Sequence, residues 1–289
     1  MRYGFIQRET ESLQHSAVLC RYCRALGVSR SGYYAWRRRG VSRRAQAQAQ
    51  LLAQLRILHR SLRGVYGSLK MQRSLERAGI QCSLKQTARL MRVAGLRGQP
   101  LRSWRSTTQA AAGVETAANV LERNFSPGTA AWAADMTYLR CQEGWLYLAV
   151  IQSVHSRRIL GFALSARLDT NLALAALSMA AQQQPAAGWL HHSDQGSTYT
   201  SAAYQQALAE LGLVPSMSRS GDCYDNAMVE SFFACLKREL PAGWQTRSRQ
   251  QVGQLVEDYI VNFYNPVRLH SSLSYLSPAE FEKLHPVLN

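Results

Sequence analysis

The chain has 289 residues, 46% of them hydrophobic, enough for a packed core in one large domain or two modest ones. No run of about eighteen apolar residues is present to span a bilayer, and the N-terminal MRYGFIQRETESLQHS lacks the apolar core of a signal peptide, so a cytoplasmic protein is expected. The formal net charge of +16 is unevenly spread: 22 Lys and Arg face 3 acids through residue 110, and 12 face 15 acids from there on.

A basic front half joined to a near-neutral back half points to a polyanion-binding module attached to something else. Nucleic acid is the leading partner, which makes the expected location the nucleoid. An acidic membrane surface is disfavoured, because no strongly amphipathic helix with an aromatic apolar face is present. The six cysteines, at 20, 23, 82, 141, 223 and 235, lack the density of a disulfide scaffold. Cys20 and Cys23 form a C-x-x-C with no second pair to complete a zinc site, so they read as part of a small helical core.

Residues 16–39 suggest a short helix, AVLCRYCRALGV, then a glycine turn and a second helix in SRSGYYAWRRR, capped by Ser29 or Ser31. Arg37, Arg38 and Arg39 close this unit and suit DNA, while Tyr33, Tyr34 and Trp36 read as packing residues. Leu51, Leu55, Leu58 and Leu62 fall at helical spacing. Next, Ser68 should cap a helix ending at Gly79, and Ser83 a second ending near Gly95. Lys85, Arg89 and Arg92 share one face of that second helix, and Leu84, Ala88 and Met91 share another. It reads as a recognition helix; the alternative is a solvated basic face on a structural helix. The expected organisation is a small helical DNA-binding segment (1–44), a helix plus helix-turn-helix domain (45–98), and a Ser/Thr/Ala/Gln-rich linker (99–124).

From Trp132 the pattern changes. WAADMTYLR, WLYLAVIQSV and RILGFALSA read as three strands, the first two joined by a hairpin at CQEG. NLALAALSMAAQQQ is a helix, GWLHHSD a strand, AAYQQALAELG a helix and LVPSMS a strand. NAMVESFFACLKREL and QQVGQLVEDYIVNFYN are helices. Three antiparallel strands followed by β-α-β alternation predict a mixed sheet covered by helices, an α/β core. The core is expected over 125–243, with a C-terminal helix and tail, 244–289, completing it.

Three acids stand out in this half. Asp135 lies inside the first strand, where acids are unusual. Asp194 directly follows the fourth strand, either as an ordinary strand end meeting water or as a group held for chemistry. Glu230 lies in a helix beginning near Asp225 and Asn226, with 35 residues between it and Asp194. Two carboxylates about 4 Å apart repel by about 4 kcal/mol at an effective dielectric of 20, and divalent cations relieve such crowding. All-oxygen ligands suit Mg²⁺ or Mn²⁺, and a pair of these ions can activate an attacking oxygen and stabilise a leaving one at phosphorus. A basic half and a three-acid site together indicate phosphodiester chemistry on DNA.

W-x-x-D-x-T-Y (132–138), HSDQGSTYTS (192–201), SMSRSGDCYDNAMVESFFACLKREL (216–240) and YNPVRLHSSLSYLSPAEFE (264–282), with the SRSGYYAWRRR and VYGSLKMQ…RLMRVAGLRG segments, closely resemble the orfB-type DDE transposases of the insertion-sequence-three family, relatives of retroviral integrases. The resemblance covers nearly the whole chain. It implies a ribonuclease-H-like catalytic core behind an N-terminal all-α helix-turn-helix region. It also implies that Asp135, Asp194 and Glu230 form the catalytic, metal-binding triad, with Mg²⁺ or Mn²⁺ as cofactor, two ions per site. Lys237 matches a basic position that contacts the element's terminal DNA. Two helical turns separate it from Glu230, so the two share a face, as does Asn226; Arg238 is the alternative contact. His192 supports the site or touches DNA, whereas His191 should point the other way along the strand. The chain departs from the family at Gln152, where an aspartate outside the triad is usual.

By the same resemblance, the protein frees a 3′-OH at the element's terminal inverted repeats and transfers it to target DNA, as at least a homodimer when two ends are synapsed. The family often fuses this frame to an upstream one by frameshifting, so the chain is expected to be one product of its element. The alternatives are a non-catalytic DNA-binding regulatory subunit and a structure-selective nuclease.

Overall fold

The computed structural model describes residues 2–10, 16–99, 117–184, 187–219 and 226–287. Helices α1 (Arg2–Thr10), α2 (Ser16–Ala25) and α3 (Arg30–Arg38) form a small unit. Ser29 caps α3, its hydroxyl accepting from Gly32 N at 3.0 Å. Ile6, Leu19, Cys23 and Tyr33 make the core of this unit, and Tyr3 stacks on Trp36. Tyr33, Trp36 and Cys23 therefore pack, as the sequence indicated, whereas Tyr34 is exposed and touches the edge of this core through Tyr33. Helix α1 was not foreseen, because its buried face is reduced to Ile6.

Helices α4 (Arg43–Ser61), α5 (Ser68–Arg77) and α6 (Leu84–Val93) follow. Ser83 caps α6 as expected, but Gly67, not Ser68, is the N-cap of α5, with no side-chain cap bond. On α6 the buried residues are Thr87, Leu90 and Met91, while Leu84 is exposed. α6 packs on α5 and α4 through Thr87, Leu90 and Met91, so its buried stripe is shifted round the helix from the expected one. The unit joins the rest of the protein through Tyr66, whose hydroxyl accepts from Leu269 N at 2.7 Å, and through ion pairs Arg63–Asp258 and Arg77–Glu280.

The sheet comprises β1 (Ala131–Cys141), β2 (Gly144–Ser153), β3 (Ile159–Ser165), β4 (Leu190–Ser193) and β5 (Val214–Met217), in the order β3-β2-β1-β4-β5. The first three strands are antiparallel, and β4 and β5 run parallel to β1. Helices α7 (Thr170–Gln183) and α8 (Ala202–Glu210) supply the crossovers and cover one face, packing on Trp132, Ala134 and Ile151. The other face, Ala131, Ala133 and Leu139, meets α9 (Ala227–Glu239), α10 (Arg249–Tyr259) and the segment after them. This alternation follows from side chains pointing to opposite faces along a strand. A π-helical turn, Ile260–Tyr264, extends α10 and turns Phe263 and Tyr264 into the core; α11 (Pro278–Leu284) closes the chain behind a Ser277–Glu280 capping box.

The expected linker is only partly within the described residues: 100–116 lie outside them. Its end is no free tether, since Val120 N and Leu121 N donate to Ser216 Oγ and Leu121 is buried. Among the described residues no helix is long and apolar enough to cross a membrane.

The tightest contact in the sheet is at Gly161 on β3. A Cβ there would overlap the Ala176 carbonyl oxygen and lie 2.8 Å from Ala180 N. Small residues on α7 allow this approach. Gly161→Ala should therefore cost about 1–3 kcal/mol of stability, seen as a lower urea midpoint at unchanged slope.

Candidate active site

Parallel pairing sets Ala131 against Leu190 and Ala133 against His192. Continuing that register by two residues brings Asp194 level with Asp135, on the same face of the sheet. That is the face α9 crosses, and α9 brings Glu230. The terminal position of Asp194 thus has a geometric reason: it lies one residue past β4, where the chain leaves the sheet beside the middle of β1. Gly196 makes room for it, since a Cβ there would stand 2.9 Å from Asp194 Oδ1; its own N–H donates to that oxygen at 2.9 Å. Asp135 Oδ1 accepts from Met136 N at 2.7 Å.

The three acids share one electrostatic field. Burial, then the charge of Asp194 and more weakly that of Glu230, pushes Asp135 well above the usual carboxylate range. Burial also raises Asp194 and Glu230. Lys237 is lowered by burial, partly offset by Asp135. Its ammonium donates to Thr137 Oγ1 at 2.7 Å and lies over the Tyr138 ring. Tyr199, buried near both aspartates, is raised by burial, by Tyr204 and by those two charges.

These oxygen donors match a hard divalent cation. Among the described residues, no three His, Cys, Asp or Glu side chains are gathered closely enough to hold an ion as they stand. Asp135 and Asp194 each accept a backbone N–H, from Met136 and Gly196. The residue types, the shared face and the raised proton affinities fit a divalent metal.

Not every expected contact faces outward. His192 is fully buried and bonds Ser216 at 2.9 Å through Nδ1, so it supports the strand end and offers no surface to DNA. His191 points to the opposite face and meets the Tyr204 hydroxyl, as strand alternation required. Asn226 is buried, its Nδ2 donating to Ala134 O at 3.2 Å; it positions α9 rather than facing solvent. Arg238 sits round the helix from Lys237, beside Cys235 and Glu239. By contrast, Lys85, Arg89 and Arg92 on α6 and Arg37, Arg38 and Arg39 at the end of α3 are exposed, with no ion pair among the described residues. Thr137, the anchor for Lys237, was missed; strand alternation two residues beyond Asp135 could have found it. Tyr199 had no local signal.

Family models described as integrase core domain match residues 129–223 and 211–278, and one described as HTH-like domain matches 45–104. The chain is 40% identical over 267 residues to the insertion element IS600 uncharacterized 31 kDa protein of Shigella sonnei, covering 91% of this chain and 98% of that one. It is 37% identical over 287 residues to transposase InsF for insertion sequence IS3A of Escherichia coli K12, covering 98% of each. Among solved structures, the simian T-cell lymphotropic virus intasome with PP2A regulatory subunit B56 gamma aligns at 14% identity and TM-score 0.45, over 75% of this chain and 73% of that one. The HTLV-2 integrase catalytic core domain with magnesium aligns at 12% and 0.41, over 54% and 97%.

Without divalent ions, the raised carboxylates penalise the folded state. A carboxyl whose folded pKa lies above its unfolded value favours folding below the unfolded value, and that favour is lost as pH rises through the folded one. Asp135→Asn should therefore raise Tm in EDTA at pH 8, by roughly 2–4 °C per kcal/mol relieved, and leave the difference near zero at pH 4. Paired thermal melts at the two pH values check this.

Proposed function

Because this chain belongs to the insertion-sequence transposases of the IS3 type, whose function is DNA transposition, we propose that it frees a 3′-OH at each element end and joins it to a new strand. What most supports a catalytic reading is the β1–β4 register that sets Asp194 level with Asp135 on the face crossed by α9.

In this proposal Asp135, Asp194 and Glu230 hold Mg²⁺ or Mn²⁺, two ions per site. Bound there, the ions supply activation of the attacking oxygen and charge stabilisation of the leaving one. Asp135 and Asp194 approach from adjacent strands and Glu230 from α9, so the acids enclose the reacting phosphate from two layers of the fold. Lys237, held by Thr137, provides a fixed positive charge beside the acids to orient a phosphodiester oxygen. In the first step water attacks phosphorus and the 3′ oxygen leaves as a hydroxyl. In the second, that hydroxyl attacks another phosphodiester and displaces its 3′ oxygen as a hydroxyl, so no protein–DNA bond is formed. Lys85, Arg89 and Arg92 on α6 and Arg37, Arg38 and Arg39 at the end of α3 hold the terminal repeats, by phosphate contacts that position and base contacts that specify. Synapsis of two ends requires at least two copies of the chain.

The test is strand joining with both element ends in Mg²⁺ or Mn²⁺. Wild type should give joined product, and Asp194→Asn should lose it by at least roughly 10²–10³-fold while binding end DNA as tightly as wild type. DNA binding lost in step with joining would make Asp194 structural. No product from wild type, with binding intact, would support the regulatory-subunit reading or a need for the upstream frame, which the fused protein separates.

A further inference from the structure

A cavity of 690 Å³ opens between the helix-turn-helix unit and the catalytic sheet, walled by the first turn of α5, one flank of α9, the β2–β3 turn and the segment after the π turn. It is distinct from the acid site. On α9, Arg238 follows Glu230 by eight residues, which places it roughly 80° further round the helix. Ala234, exposed, lies between the two, and Ser231 is on the cavity wall.

The cavity holds four cations, Lys70, Arg157, Arg238 and Arg268, against one carboxylate, Glu239. Glu239 is already committed: Arg268 donates to both its oxygens, at 2.8 and 2.7 Å, and the Tyr259 hydroxyl donates at 2.8 Å. That leaves three cations without a close acid of their own. Lys70 lies over the Tyr66 ring with no ion pair among the described residues. Arg157 donates to Phe125 O, but its buried Nε–H has no acceptor. Among the described residues the Nε–H of Arg238 is likewise without one, and its carboxylate contact there is at 3.4 Å. Partly buried cations without a counter-charge are costly, and an anion relieves that cost.

Two further features point the same way. Arg157 sits at φ 64°, a left-handed conformation that glycine adopts with less strain. Its carbonyl is held by Gln152 Nε2 at 2.9 Å, and the residue lines the cavity. The N-terminus of α5 also lines the cavity, with Gly67 as a cap that has no side chain to satisfy the first N–H groups. Burial and the neighbouring Arg268 pull Lys70 down to about 8, as expected of a cation lacking its anion.

We propose that this cavity is a phosphate-binding site that grips a backbone phosphate of the DNA strand after the strand crosses α9 at Ala234 from the acids. The assignment rests on the transposition reading. It makes α9 a divider, with the reacting phosphate on one flank and a holding site on the other. The junction of the two units then becomes part of the DNA path.

The experiment is DNA binding by the full chain in EDTA, titrated from 50 to 200 mM salt, for wild type, Lys70→Gln and Arg157→Gly. Glycine suits the backbone at 157, so that variant should keep the wild-type melting temperature. Each variant should weaken binding roughly tenfold and lower the slope of log K against log salt by about 0.7–0.9. In parallel, inorganic phosphate at constant ionic strength should raise Tm for wild type and not for the variants. Unchanged slopes in folded variants overturn the proposal. A phosphate-dependent Tm with unchanged slopes makes the cavity a free-anion site and overturns its assignment to DNA. A wild type that binds no DNA overturns the transposition reading itself. Because no metal is present, loss of catalysis cannot imitate any of these results.

Discussion

The placement of α9 depends on one buried ion pair. Glu239, in its last turn, receives two hydrogen bonds from Arg268 and one from Tyr259, and all three residues are buried. Breaking such a pair by removing one partner costs about 3–5 kcal/mol, because the remaining charge is stranded away from water. At the other end of α9, Asn226 donates to the backbone of β1 at Ala134. Between these two pins the helix has little freedom to slide or rotate. Glu230 and Lys237 therefore meet β1 in a defined register, and Lys237 adds its own bond to Thr137. Arg268 also lies beside Leu269, whose N–H reaches Tyr66. The fastening of α9 and the attachment of the helix-turn-helix unit are one structural joint.

The electrostatics of the two halves are complementary. Three partly buried acids on one face repel each other and would repel a phosphodiester. The chain compensates at two ranges. Lys237 supplies a fixed positive charge close to Asp135, and Thr137 limits where it can go. At longer range the basic front half supplies general attraction, which is screened by salt and indifferent to sequence. The arrangement separates holding the polyanion from acting on it, and it explains why a +16 chain concentrates its charge so far from its acids along the sequence.

Much of this was legible in the residues. The five strands, their helices and the caps at Ser29 and Ser83 follow from local pattern and hydrogen-bond chemistry. Asp135 and Asp194 were visible because a carboxylate in or at the end of an apolar strand conflicts with local propensity. The failures share a cause: each depends on a long-range contact. Ser68 follows the cap position because Gly67 begins α5. Leu84 is exposed because α6 turns Thr87, Leu90 and Met91 toward its neighbours instead. His192 and Asn226 look like polar residues near a site, yet both are buried on partners, Ser216 and Ala134, that no local pattern names.

The cavity behind α9 is the extreme case. Lys70, Arg157, Arg238 and Arg268 come from four segments, and each has an ordinary local explanation as a helix, turn or tail cation. Only assembly shows that they converge on a single carboxylate that one of them already satisfies. Composition does give a hint, since a strongly basic chain with few acids in its front half must leave cations unpaired. Most of these can point into water, where an unpaired charge costs little. Those that the fold turns partly inward, at a junction and beside a strained backbone, are solvated less well. For them an anion from outside the chain is the counter-charge that the proposed site binds.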